Sequence, residues 1–144
     1  MSRILVAGVE NVLRGDDGFG PAVAARLGDL PSGVEVVETG IGGVALLQEL
    51  LAGCDGFVLV DAVDRGAAAG TLFELAPEVG EAVHVADVHL ANPDRVRIVG
   101  CQPAEVDELG QGLSPVVERT LDIAAVMVRR IVEAWLREPV RAGL

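Results

Sequence analysis

Lysine is absent from this chain, and its absence excludes every mechanism that depends on a lysine side chain. All 11 positively charged residues are arginines, against 22 aspartates and glutamates, which gives a formal net charge of -11 at pH 7. This acidic balance argues against a nucleic-acid backbone or an anionic membrane surface as a partner, because both would repel the chain. A cation or a basic peptide suits the charge better.

Cysteines, aromatic residues and long apolar runs are also scarce. Cys54 and Cys101 are the only cysteines and lie in or beside apolar sequence, so we expect buried free thiols, no disulfide framework and a cytoplasmic setting. No run of about 18 apolar residues and no signal peptide is found, which predicts a soluble protein. With so few aromatic residues the core must consist of Val, Leu, Ile and Ala, as in parallel sheets covered by helices. The length of 144 residues predicts a single domain over 1–144.

Apolar periodicity predicts alternating strands and helices. Strands are expected over 3–9, 34–39, 56–60, 71–75 and 95–99, and helices over 20–27, 44–52 and 114–136. This order predicts an α/β fold, a three-layer sandwich with a mixed, mostly parallel five-stranded sheet between helices. The short connection before 71–75 favours antiparallel pairing of that strand with its predecessor.

The last predicted helix is a long amphipathic element. Ser114 is expected to cap it, and Pro115 to occupy its first position. The face expected to pack on the sheet follows from three-and-four spacing. It consists of Ile123, Val126, Met127, Arg130, Ile131 and Ala134.

The most informative segment is the acidic run, the glycine-framed sequence Gly15-Asp16-Asp17-Gly18-Phe19-Gly20 that follows the first strand. We expect its glycines to permit positive φ and close approach of the backbone to a ligand, and its carboxylates to attract a metal ion or share a proton. Asp61 ends the third predicted strand, a continuous apolar run typical of a central buried strand. Because open α/β sheets bind ligands at the carboxyl ends of their strands, Asp16, Asp17 and Asp61 should converge there.

One of the two histidines, His84 or His89, would reach these acids from the segment after the fourth strand. Two carboxylates and an imidazole suit nickel or zinc and leave coordination positions open. A plainer interpretation competes with this one. An acidic loop before a helix is also a helix-dipole partner, Asp61 an ordinary turn residue and His84 a solvated side chain.

Other kinds of catalysis find little support in the sequence. A phospho-receiver domain has similar acids but needs a lysine, and the segment 8–13 lacks the glycine spacing of a dinucleotide fold. None of the three serines lies in a Gly-x-Ser-x-Gly elbow, and Ser114 is better explained as a helix cap. Cys54 and Cys101 are better explained as packed small residues than as nucleophiles.

The segment Ile4 to Gly8, Asn11 and the acidic run resemble the N-terminal signature of one protein family, the hydrogenase maturation proteases. Its later motifs are similar to Leu59-Val60-Asp61-Ala62, Gly70-Thr71-Leu72, Asp87-Val88-His89 with Asn92-Pro93, Val99-Gly100-Cys101-Gln102-Pro103 and Gly112-Leu113-Ser114-Pro115. The acidic run and the Gly-Leu-Ser-Pro helix start, in this order and spacing, are jointly specific.

This resemblance implies a nickel-dependent endopeptidase that removes the C-terminal extension of a nickel-iron hydrogenase large-subunit precursor. It implies that Asp17, Asp61 and His89 are the catalytic and metal-binding side chains, and that they complete the coordination of a nickel ion carried by the precursor. No serine or cysteine nucleophile is then needed. The implied fold is a twisted, phosphorylase/hydrolase-like mixed sheet between helical layers.

Two departures from the family pattern leave alternatives open. Glu10 stands where the family has glycine, and only residues 90–94 separate His89 from the next strand, where the family inserts a helix. His84 is therefore a rival third ligand. The alternative function is a non-cleaving relative that binds the precursor as an assembly factor. A third possibility is an unrelated α/β protein whose acidic run binds another divalent ion.

Overall fold

A computed structural model describes residues 3–10, 15–39, 54–76, 95–104 and 112–138. The strands are β1 Ile4–Val9, β2 Val34–Thr39, β3 Gly56–Ala62, β4 Leu72–Leu75 and β5 Val96–Cys101. A 3₁₀ turn at Gly15–Gly18 leads into helix α1 Phe19–Arg26, and helices α2 Pro115–Glu118 and α3 Leu121–Arg137 follow β5. The predicted helix 44–52 lies outside the described residues. None of the helices in the described part of the chain is long and apolar enough to cross a lipid bilayer.

The five strands form one mixed sheet in the order β2-β1-β3-β5-β4. β1 pairs in parallel with β2 on one side and β3 on the other, and β3 pairs in parallel with β5. The register sets Gly8 opposite Val60, and Asp61 opposite Gly100. The predicted mixed, mostly parallel five-stranded sheet is confirmed.

The prediction for β4 is right in direction and wrong in partner. β4 is antiparallel, but its neighbour is β5 rather than β3. The connection from β3 crosses the carboxyl end of β5, where the Val63 N–H donates to the Cys101 carbonyl oxygen (3.0 Å) and the Gly70 N–H to the Gln102 carbonyl oxygen (2.9 Å). β5 therefore lies beside β3, and β4 forms the edge of the sheet.

Aliphatic side chains bury both faces of the central strands. Helices α1 and α3 cover one face, and the strand residues of that core are Ile4, Val6, Val58, Val60, Val99 and Cys101. A second buried cluster includes Cys54, which lies just before β3, and strand residues Leu5, Ala7, Phe57, Leu59 and Val96. Strands with two buried faces need apolar residues at successive positions, which explains the continuous apolar runs in the sequence.

The long helix predicted over 114–136 is interrupted. α2 ends at Glu118 and α3 begins at Leu121. Between them the Thr120 N–H donates to the Val117 carbonyl oxygen (2.9 Å), and the Thr120 hydroxyl donates to the same oxygen (2.6 Å). A bond that spans three residues winds the chain more tightly than an α-helix does. The interruption is confined to this turn, since Val117 of α2 and Leu121 of α3 are buried in the same core.

The apolar face predicted for this helix is also partly wrong. Ile123 and Val126 are 59% and 42% exposed, and Arg130 is exposed. Ile131 is buried as expected, and Met127 is half-buried. The buried face of α3 consists of Leu121, Ala124, Ala125, Val128, Ile131, Val132 and Trp135. It includes two alanines that the prediction left out, and such small side chains let a helix lie close to its neighbours.

Candidate active site

The carboxyl ends of β1 and β3 lie side by side at one edge of the sheet. The chain passes from β1 to β2 on one side and then to β3 on the other, so the strand order reverses between β1 and β3. Open α/β sheets bind ligands in the crevice at such a point. The 3₁₀ turn that follows β1 lies against β3, and Asp61 is the next-to-last residue of β3. The backbone of the acidic run thus reaches the strand that ends with Asp61.

Two glycines, which have no Cβ atom, allow the acidic run to lie this close to β1 and β3. A Cβ on Gly20 would lie 2.4 Å from the Val60 carbonyl oxygen and 2.6 Å from the Val9 nitrogen, and a Cβ on Gly8 would lie 2.4 Å from the Gly20 carbonyl oxygen. Helix α1 therefore begins in backbone contact with both β1 and β3. The expected positive φ is wrong for Gly18 and Gly20, because the positive-φ glycines of the described residues lie elsewhere. Gly20 provides space rather than an unusual backbone conformation.

Asp61 is half-buried and lies opposite Gly100 of β5. A Cβ on Gly100 would lie 2.7 Å from Val63 Cγ2 and 3.6 Å from the Asp61 carbonyl oxygen. The missing side chain at Gly100 leaves room for the chain to turn away from the sheet directly after β3. Asp61 therefore lies at the rim of the crevice rather than within the apolar core.

Asp16 is buried, with 6% of its surface exposed, and both of its carboxylate oxygens are hydrogen-bonded. The Ala104 N–H donates to Oδ2 (2.8 Å) and the Ser114 N–H to Oδ1 (2.7 Å). The Ser114 hydroxyl lies 3.0 Å from Oδ1 and 2.8 Å from Oδ2. Ser114 occupies the N-cap position of α2 and Pro115 its first position, as predicted, but the hydroxyl makes no capping bond to the helix. A carboxylate with this set of donors is a poor candidate for a metal ligand.

The other predicted site side chains lie outside the described residues. The backbone of Asp17 belongs to the 3₁₀ turn, but its side chain is not described, and neither are His84 and His89. Glu10 is half-buried just beyond β1. Within the described part of the chain, no three His, Cys, Asp or Glu side chains are placed to hold a metal ion. The ligand set Asp17, Asp61 and His89 stays a prediction.

Gln102 is a buried residue at this edge of the sheet, and the sequence alone predicts no role for its side chain. Its Oε1 accepts hydrogen bonds from the N–H groups of Arg65 (2.7 Å) and Ala67 (3.2 Å), and its Nε2 donates to Asp64 Oδ1 (3.0 Å). One side chain therefore fixes the segment that leaves β3. The available signal was a single amide directly after an apolar strand, which is too weak to indicate its partners.

The hydrogen bond from Gln102 also favours the charged form of the Asp64 carboxyl. The hydrogen bond from Gln102, and after it the bond from the Gly66 N–H, hold the pKa of the Asp64 carboxyl below its ordinary value of 3.8. Donors that favour the charged form of a carboxylate act in this direction. Asp64 is exposed, so it adds a negative charge to the solvent-facing side of the segment that leaves β3.

Both cysteines are buried free thiols, as expected. The Cys101 Sγ lies 3.7 Å from the Thr120 hydroxyl oxygen and 3.7 Å from the Gln102 carbonyl oxygen. Burial raises the pKa of Cys101, and the negative charge of Asp16 acts in the same direction, whereas the hydrogen bond with Thr120 acts in the opposite direction. Burial also raises the pKa of Cys54. Because the thiolate is the reactive form, raised pKa values make both thiols poor nucleophiles at neutral pH.

Comparison with known proteins gives a consistent result. No protein-family model matches the chain. The chain is 31% identical to the hydrogenase expression/formation protein HupD of Rhodobacter capsulatus, over 92% of this chain and 72% of that protein. It is 31% identical to a Methanocaldococcus jannaschii protein assigned as a hydrogenase maturation protease, over 87% of this chain and 93% of that protein. The solved structure of the hydrogenase maturating endopeptidase HybD of Escherichia coli is similar with a TM-score of 0.76 at 29% identity, covering 92% of this chain and 93% of that one.

Proposed function

The chain belongs to the hydrogenase maturation protease family, and on that basis we propose that it removes the C-terminal extension of a nickel-iron hydrogenase large-subunit precursor. Family membership makes it a peptidase that acts in hydrogenase maturation. The finer proposal is that cleavage depends on nickel carried by the precursor. We place the reaction in the cytoplasm, where Cys54 and Cys101 remain thiols.

The main support for this proposal is the meeting of two acid-bearing segments at the carboxyl edge of the sheet. The turn that contains the Asp17 backbone lies against β3, the strand that ends with Asp61 and Ala62. Two carboxylates and one imidazole suit nickel and leave positions open for further ligands. We propose Asp17, Asp61 and His89 as the ligands from this chain, with thiolates of the precursor supplying the others.

The proposed chemistry needs no nucleophile from this chain. A metal ion held at this edge would polarise the scissile carbonyl or lower the pKa of a bound water, which then attacks the peptide bond. Neither the Ser114 hydroxyl nor the Cys101 thiol, which both lie at this edge, offers an alternative nucleophile. Cys101 is buried with a raised pKa, and the Ser114 hydroxyl is bonded to Asp16.

The intact mass of the precursor tests the proposed cleavage. The wild-type protein is incubated with a nickel-loaded precursor and, separately, with the same precursor free of nickel. We expect the C-terminal peptide to be lost only from the nickel-loaded form. Asp17→Ala and Asp61→Ala should abolish the loss because each removes a ligand, whereas Asp122→Ala, which removes an exposed acid of α3, should not.

Two results would contradict the proposal in different ways. Binding of the nickel-loaded precursor without any change in its mass would favour the non-cleaving assembly factor, a function that Glu10 at the end of β1 also suits. Equal cleavage of the nickel-free precursor would refute the dependence on nickel.

Metal titration decides which histidine completes the site. Nickel, and then cadmium as a stable substitute, is titrated by calorimetry into the wild type, His84→Ala and His89→Ala. We expect binding to be lost in His89→Ala and kept in His84→Ala. The reverse would make His84 the third ligand. Binding of magnesium or calcium, with no response to the precursor, would favour an unrelated divalent-ion protein.

A further inference from the structure

Asp16 is set apart by its burial and by the reach of its hydrogen bonds along the chain. Of the acidic residues whose side chains the structure describes, only Asp16 is buried. Its donors at Ala104 and Ser114 are 88 and 98 residues away along the chain. These bonds join the 3₁₀ turn to the segment that leaves β5 and to the start of α2.

The donors around Asp16 suit a carboxylate and not its amide. Oδ1 faces the Ser114 N–H and Oδ2 faces the Ala104 N–H. An asparagine would turn its NH₂ group toward one of these two N–H groups, whichever way its amide were oriented, because both backbone groups can only donate. The Ser114 hydroxyl supplies a third donor. Hydrogen bonds from backbone N–H groups to a charged acceptor are stronger than those to a neutral one.

The segments that Asp16 joins are themselves held in place. The Gln102 N–H, at the end of β5, donates to the Thr71 carbonyl oxygen (2.8 Å). The Ser114 carbonyl oxygen accepts hydrogen bonds from the N–H groups of Val117 (3.1 Å) and Glu118 (2.9 Å) in α2. Asp16 therefore attaches the acidic run to two fixed points of the fold.

The other end of the acidic run is fixed by the contact of Gly20 with β1 and β3. The Asp17 backbone lies between these two attachments, next to Asp16 and within the same 3₁₀ turn. A change in the bonds of Asp16 would therefore move Asp17 first, while the sheet and α1 stay in place.

We propose that Asp16 is a positioning residue, whose carboxylate holds the 3₁₀ turn so that Asp17 meets the metal carried by the precursor in the geometry that cleavage requires. Asp16 itself does not touch the metal. The inference rests on the proposed function of Asp17 as a ligand. Groups that orient a metal ligand typically contribute roughly 10–100-fold to metal affinity or activity.

Three variants separate this role from a general effect on folding. Asp16→Asn keeps the shape of the side chain but turns its NH₂ group toward the N–H group of either Ala104 or Ser114, so that two donors face each other. Ser114→Ala removes only the hydroxyl and leaves both backbone bonds. Asp122→Asn is the matched control, because Asp122 is an exposed acid whose ion pair with Arg26 lies on the surface.

The first readout needs no metal and no precursor. Amide hydrogen exchange, followed by NMR, reports on the N–H groups of Ala104 and Ser114. We expect both to exchange roughly tenfold or more faster in Asp16→Asn, as the loss of a hydrogen bond to a charged group produces. Exchange at these positions should be unchanged in Asp122→Asn.

The second readout is the cleavage of the nickel-loaded precursor at varied concentration. We expect kcat to fall roughly 10–100-fold in Asp16→Asn with little change in KM, because precursor docking is kept and the geometry of the reacting groups is lost. Ser114→Ala should show a smaller fall in the same direction. If Asp16→Asn does not fold, Ser114→Ala carries both readouts.

Each unexpected result identifies the step that fails. Unchanged amide exchange in Asp16→Asn would overturn the hydrogen-bonding role. Faster exchange with a wild-type kcat would overturn the positioning role. Cadmium binding that is abolished as completely as in Asp17→Ala would make Asp16 a ligand. If the wild type cleaves no precursor, the proposed function fails and the positioning role with it, while the exchange data still report whether Asp16 joins the three segments.

Discussion

Replacing Gly20 with alanine should strongly destabilise the protein, although it adds only one methyl group. The new Cβ would lie 2.4 Å from the Val60 carbonyl oxygen, 2.6 Å from the Val9 nitrogen and 2.7 Å from the Val9 carbonyl oxygen. Real Cβ atoms essentially never come within 3.0 Å of another heavy atom, so α1 would have to move by about 0.6 Å. The contacted atoms belong to the backbone of two paired strands and cannot rotate away as a side chain could.

The expected loss is about 3 kcal/mol in the free energy of unfolding. Overpacking a well-packed interior typically costs about 1–3 kcal/mol. The upper end applies to Gly20 because the new methyl group meets backbone atoms of both β1 and β3. For a chain of this size each kcal/mol lowers Tm by roughly 2–4 °C, so Tm should fall by roughly 6–12 °C.

Gly18→Ala, in the same acidic run, is the matched control. Gly18 has a φ of -77°, which any residue can adopt, and among the described residues a Cβ there would meet only Leu113 Cδ2, at 3.9 Å. We expect this variant to be as stable as the wild type or more stable by about 0.4–1 kcal/mol, because alanine restricts the unfolded chain.

Urea denaturation followed by tryptophan fluorescence measures both variants. Trp135 is the only tryptophan of the chain and is 6% exposed, so unfolding transfers it to water. The midpoint should fall for Gly20→Ala and not for Gly18→Ala. Equal midpoints would refute the backbone contact of α1 with β1 and β3, and with it the placement of the acidic run against β3.

Three further predictions concern the thiols and the segment after β3. Because burial raises the pKa of Cys54 and Cys101, neither thiol should react with an aromatic disulfide reagent in the native protein at about pH 8. Both thiols should react after unfolding. Rapid reaction of the native protein would contradict their burial. Gln102→Ala should lower the free energy of unfolding by about 1–3 kcal/mol and raise the pKa of Asp64, as measured by urea denaturation and NMR titration. Because folding lowers the pKa of Asp64, the charged carboxylate should stabilise the fold fully above the ordinary pKa of 3.8. This stabilisation should vanish as the pH falls through the lower pKa of the folded state. Asp64→Ala and the wild type should therefore become equally sensitive to urea in strong acid. A stability difference that persists in strong acid would contradict this.

Local patterns were sufficient to predict most strands and the first helix. β2 was expected over 34–39 and is found at Val34–Thr39, and α1 begins one residue before its predicted start. The apolar run before Asp61 indicated a strand buried on both faces, which is where β3 lies. Such features depend on neighbouring residues, and these are visible in the sequence.

Features that depend on distant partners could not be predicted in the same way. Ser114 precedes a proline and has the local features of a helix cap, yet its hydroxyl bonds to Asp16, because a buried carboxylate must be satisfied by donors. The partner of β4 was missed because the chain crosses the end of β5, where Gln102 holds it. The composition of the acidic run does not distinguish Asp16 from Asp17, and the hydrogen-bond partners of Asp16, which lie 88 and 98 residues away, are visible only in the structure. The single domain over 1–144 stays a prediction.

Anomalous diffraction from a cadmium-soaked crystal would show most directly where this protein binds a divalent metal. We predict one ion in the crevice between the ends of β1 and β3, with Asp17, Asp61 and His89 as its ligands and with Asp16 still bonded to Ala104 and Ser114. An ion bound only elsewhere on the acidic surface, or one held by Asp16 in place of Asp17, would contradict the proposed active site.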